Sequence, residues 1–364
     1  ATGPVAKQRL SELAVVARES ATDIDGAGYS AVQAAGGIEA LIKAGVSVDD
    51  VMGGAMAGSL SLAAAGQMDV AVAAEAAASA MTQFKLSGKD VPHIADLLAA
   101  GAGKAQGDVS DLTQALSQSG LVASQFGLSL EDTVGTLSAF ASAGLLGSDA
   151  GTSLRTMLLR LGNPSGEAAT EMERLGIAAY DAQGNFVGVS SVAEQLQTKL
   201  GGLDQATRDA ALATIFGSDA IRAANVLYEQ GAEGMDGWIA AVDDSGYAAD
   251  VAGERLNSLQ GDLQKLWGVL GEVGIAAGEA NTGPLRGLVQ VLADLLRAAS
   301  ENPAALQVAA ISIGVLGAAV AAFGITMKIT TSIVEFREAV GKIRGSAKDA
   351  ETGLDGATKA TGKW

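Results

Sequence analysis

At 364 residues the chain has room for one large or two ordinary domains. Its apolar content is 48%, yet only 4% is aromatic and 48 residues are glycine, so any core is built from small side chains. The formal charge of −17 argues against tight nucleic-acid binding, and the absence of cysteine excludes disulfides and thiolate metal sites.

The chain opens on Ala1-Thr2-Gly3 with no initiator Met, which reads as an internal or processed start of something longer. Leu10, Leu13, Ala14 and Ala17 recur at helical spacing, so residues 1–30 are expected to form an N-terminal helix and linker. Asp23-Ile24-Asp25-Gly26 begins like a calcium loop, but Ala21 and Val32 occupy positions where ligands are needed.

Residues 31–250 read as an all-α core of short, glycine-punctuated helices. Apolar stripes run through Leu112, Ala115, Leu116, Ser119, Val122, Ala123 and Phe126, and through Leu154, Met157, Leu158 and Leu161. Ser87 with Asp90, Ser129 with Asp132, and Ser191 with Glu194 have capping-box spacing, in which serine and acid each satisfy an orphan N–H. Asn163-Pro164 reads as a cap followed by proline at the first helical position, and Gly144, Gly162 and Gly176 read as left-handed stops. Turn residues between β-formers across 179–187 predict one small β-hairpin. The stretch Gly231–Gly253, rich in Gly and Asp, is the expected boundary of this core.

Beyond it the pattern changes to long helices. Leu256, Leu259, Leu263, Leu266, Leu270, Val273, Ala277 and Ala280 form a strict heptad seam within residues 254–300, broken at Asn281-Thr282-Gly283-Pro284. A second seam passes through Leu285, Leu288, Leu292, Leu295 and Ala299. Such seams serve either self-association or packing within one chain. Next, residues 302–334 are expected to form a hydrophobic, candidate transmembrane helix. From Asn302 to Met327, 26 residues pass without a charge. As a helix this run is ~39 Å long, more than the ~30 Å hydrocarbon core. It is apolar all round, with Leu306, Ile313, Leu316, Val320 and Phe323 on one face and Ile311 elsewhere. Gly314 with Ala318, and Gly317 with Ala321, have the small-xxx-small spacing of touching membrane helices. Membrane insertion at some stage and burial in an assembly both fit. Residues 335–364 read as a polar, flexible tail; from Lys328 onward the chain carries a local +2, leaving −19 on residues 1–327.

Catalytic signatures are missing: there is no HExxH, no Cys-His pair and no GxSxG elbow. Glu171 and Glu173, at i and i+2, point to different helix faces. His93 stands alone and is expected at a surface or packed position, and no cofactor is expected. The GSDAG of Gly147–Gly151 follows an apolar helix and lacks the lysine of a phosphate loop.

Four blocks occur in a distinctive order: TQFKLSGKDVPHIADLLAAGA from Thr82, QFGLSLEDTVGTLSAFASAGLLGSDAGTSLRTMLLR from Gln125, NPSGEAATEMERLGIAAYDAQGNF from Asn163, and TIFGSDAIRAANVL from Thr214. Together they closely resemble the core region of siphophage tail tape measure proteins, a resemblance covering about Ala31–Val334. It implies a structural protein, not an enzyme. Copies, three or six of them with a trimer favoured, would lie in the lumen of the growing virion tail and scaffold the tube that polymerises around them. Chain length would set tail length, and the protein would later help the genome cross the host membrane. Implied partners are the tail tube protein, tail assembly chaperones and the distal tail or baseplate hub, with no sequence-specific nucleic-acid binding. The resemblance also implies a long N-terminal coiled coil, which residues 1–30 do not read as. The main alternative is a helical pore-forming or membrane-scaffolding protein unrelated to tails.

Overall fold

A computed structural model describes residues 31–256, with residues 13 and 29 singly. The described part is eleven helices: α1 Ala31–Lys43, α2 Met56–Gly66, α3 Val70–Gln83, α4 Val91–Lys104, α5 Val109–Gln125, α6 Leu130–Ser142, α7 Gly147–Gly162, α8 Gly166–Leu175, α9 Val189–Leu200, α10 Gln205–Val242 and α11 Tyr247–Leu256. A short turn, Val48–Asp50, and a π-helical stretch, Val51–Ala55, lead into α2. Residues 33–253 cluster as one compact unit.

The helices start where short polar side chains can take up orphan amides. Ser129 and Asp132 cap α6 reciprocally: the Asp132 N–H donates to Ser129 Oγ at 2.9 Å, and the Ser129 N–H to Asp132 Oδ2 at 3.0 Å. Before α4 the Ser87 N–H and hydroxyl both donate to Asp90 Oδ2, at 2.7 and 2.8 Å, and the Asp90 N–H donates to the Ser87 carbonyl at 3.0 Å. A further box, Asp108 with Asp111, starts α5. Asp69, Ser165 and Asp204 accept first-turn amides of α3, α8 and α10. Gly144 follows α6 at φ +81°, and Gly176 ends α8 at φ +67°, both left-handed as expected.

Four local expectations are corrected. Ser191 and Glu194 form no cap, because α9 starts earlier, after Gly188 at φ +87°, which brings Val189 and Val192 into the core. Asn163 closes α7 instead of opening α8: its N–H donates to the Leu159 carbonyl at 2.9 Å, Pro164 is a spacer, and Ser165 caps α8. Gly162 stays helical as the last residue of α7. The hairpin expected at 179–187 reduces to one antiparallel bridge, Tyr180 with Phe186. Asp181 draws the chain into a tight turn by accepting the N–H groups of Gln183 and Asn185 at 2.9 and 2.8 Å. No strand occurs among the described residues.

The core is a pile of Ala, Leu and Val with few large rings; Phe140 and Phe216 are the largest fully buried side chains. Helix α10 packs on α4, α6, α7, α8 and α9, while α5 pairs with α7 and α2 with α4. Gly217 (φ 71°, ψ −179°) and Gly231 (φ 62°, ψ −171°) break α10 into three pieces. That conformation is essentially glycine-only. Two small polar residues buried among the apolar ones find backbone partners. Ser119 Oγ donates to the Ala115 carbonyl at 2.9 Å, and Ser153 Oγ reaches across from α7 to the Asp219 carbonyl at 2.8 Å. Within residues 231–253 the stretches 231–242 and 247–253 are helical, joined by a turn at 243–246, and Met235, Val242, Ala248 and Ala252 are buried.

Candidate functional site: glycine slots between helices

The family-like blocks place glycine where two helix backbones meet. A Cβ on Gly151 of α7 would overlap the Ala115 carbonyl of α5. One on Gly135 of α6 would lie 2.7 Å from Cα of Ile239 in α10, and one on Gly58 of α2 2.7 Å from Cα of Pro92 in α4. On α4, Gly101 admits the ends of Leu112, Val134 and Ser138 from α5 and α6. Because Gly147 lies against Asp111, Gly151 against Ala115 and Gly162 against Phe126, the two sequences advance together and α5 and α7 run parallel. Close approach compensates for small side chains: backbones that touch recover dispersion contacts that a thin core would otherwise lose.

At the end of this pair, Phe126 meets Phe186 edge-on with ring centres 5.4 Å apart, and Tyr180 meets Phe186 at 6.3 Å. The residual hairpin thus packs on the helices through scarce aromatic rings. Polar contacts lie mostly at the rim. Arg208 lies over Tyr228, and Arg222 reaches Asp149 at 3.4 Å.

His93 pairs with Glu131, Nε2 to Oε1 2.8 Å, joining the starts of α4 and α6. Burial pushes the Glu131 carboxyl up, but hydrogen bonds from His93, its own backbone and Ser129 outweigh that and leave it below its ordinary value. Its contribution to stability is therefore present above pH 4.5 and is lost as pH falls through the lower folded value. The amide and hydroxyl of Ser87 likewise lower the Asp90 carboxyl. Glu171 is paired with Arg174 at 2.6 Å. The GSDAG segment opens α7, where its second glycine forms the Ala115 slot.

Among the described residues no group of three or more His, Cys, Asp or Glu could hold a metal, and no helix is long and apolar enough to cross a membrane. Leu256 closes α11. The rest of the expected seam (Leu259, Leu263, Leu266, Leu270, Val273) and of the membrane run (Leu306, Ile311, Ile313, Gly314, Leu316, Gly317, Val320, Phe323) lies outside the described residues. The slots were invisible in the sequence, since a glycine's facing partner is not in its own helix.

Comparison with known proteins agrees with the blocks. The profile of phage-related minor tail proteins matches residues 17–217. The tape measure protein of Pneumococcus phage Dp-1 is 32% identical over 314 residues, 86% of this chain and 27% of that protein. The probable tape measure protein of Escherichia phage P2 is 30% identical over 287 residues, 77% of this chain and 35% of that protein. The chain thus spans about a quarter to a third of the length of these curated relatives. No solved structure matches it significantly. With more than half of its residues under that profile, the chain belongs to the phage-related minor tail protein family.

Proposed function

We propose that this chain is the compact assembly region, with its following helices, of a phage tail tape measure protein. The observation that carries this is the similarity to the Dp-1 tape measure protein across 86% of the chain. Residues 33–253 fold as a compact unit, a shape that suits docking on other tail components better than spanning distance. We assign length measurement to extended parts of the whole protein, including the heptad-patterned residues 254–300, which associate as three or six copies, a trimer being favoured. Partners in this reading are the tail tube protein, tail assembly chaperones and the distal tail hub, and the site of action is the tail lumen.

In-frame deletion of whole heptads from residues 254–280 in the phage tests the ruler. Electron microscopy is expected to show tails shortened by about 10 Å per heptad, at ~1.5 Å per helical residue. Tails of unchanged length would remove these residues from the ruler.

In the same reading the uncharged run Asn302–Met327 meets the host membrane during genome ejection. Leu316→Asp is then expected to abolish liposome association of the purified chain, because a charge at the centre of such a helix costs about 3 kcal/mol. Association unaffected by that change would end the membrane role.

A further inference from the structure

We propose that residues 241–248 form a releasable clasp, from which the chain beyond Asp243 detaches from α4 while α1–α10 stay folded. Up to Val242 the chain is held by apolar burial: Met235 and Val242 are fully buried and Ile239 lies in the Gly135 slot. After it the anchorage turns polar and concentrates on one helix. Asp96 of α4 accepts the Gly246 N–H at 2.8 Å and the Ala248 N–H at 3.0 Å, acting as a side-chain cap for α11 supplied from elsewhere in the fold. Lys104, at the end of α4, donates to the Ala241 carbonyl at 2.7 Å and to Asp244 at 2.5 Å. It also lies over the Tyr247 ring, 5.1 Å from its centre. That ring occupies the open side of Gly103.

The apolar share of this anchorage is small. Of α11, Ala248 and Ala252 are buried and remove little area from water, while Tyr247 and Val251 are only half-buried. The Lys104–Asp244 pair is 30% and 46% exposed, so salt and water reach it. Gly246, at φ +88°, gives the corner a residue that can change backbone region without strain. Few apolar contacts, a solvent-reached ion pair and a glycine corner are the physical marks of a locally opening unit.

Native-state hydrogen exchange on the full chain tests this, comparing the wild type with Asp96→Asn and Lys104→Met. The wild type is expected to exchange amides of 243–253 faster than those of α4–α7, and faster still in high salt. Each variant is expected to accelerate 243–253 by about tenfold or more, the scale of a lost charge-assisted hydrogen bond, leaving peptides from 91–240 unchanged. Exchange of 243–253 at the rate of the core in the wild type would overturn the proposal. So would equal acceleration of all peptides in both variants.

Discussion

Glycine does two opposite jobs in this chain, and its neighbours tell them apart. Gly151 in α7 has no space for a methyl group, because the Ala115 carbonyl fills it. Gly237 in α10 is exposed and has nothing within 4 Å of its would-be Cβ. Replacing Gly151 by alanine must push α5 and α7 apart, at about 1–3 kcal/mol for an overpacked contact. At Gly237 the same change only removes unfolded-chain entropy, a gain of about 0.5–1 kcal/mol. Thermal unfolding of the two variants should therefore shift in opposite directions, by roughly 2–4 °C per kcal/mol for a unit of this size. A shift of the same sign in both would mean that the slot relaxes freely.

Among the helices, legibility tracked how local the deciding contact is. The boxes at Ser87 and Ser129, and the stops at Gly144 and Gly176, depend on a few consecutive residues, and the structure contains them. The Asp108–Asp111 box was missed, although its acidic spacing was readable. Ser191 and Asn163 misled because local chemistry was overruled: burial of Val189 and Val192 set the start of α9, and the close of α7 claimed Asn163. The slots and the breaks in α10 are tertiary facts; no pattern around Gly217 or Gly231 distinguishes them from other helix glycines. The contrast is measurable. Ser129→Ala should cost about 1 kcal/mol, as loss of an N-cap does, whereas Ser191→Ala should leave stability within about 0.5 kcal/mol. Equal losses in chemical denaturation would contradict the assigned start of α9.

Taken whole, the described unit joins a thin-grained core to an acidic surface, and its size bears on its task. About 220 residues folded compactly have a radius of gyration near 17 Å, whereas the same residues as one straight helix would reach ~330 Å. A compact unit therefore spends very little of its length on distance. The relatives' greater length leaves room for a ruler outside the matched region. The most direct measurement is electron microscopy of tails from a phage lacking residues 33–253 in frame. The account predicts failed or scarce tail assembly, with any tails that form not shortened by the ~330 Å of the deleted stretch. Abundant, infectious tails shortened by that full length would show that these residues measure distance, and would contradict the account.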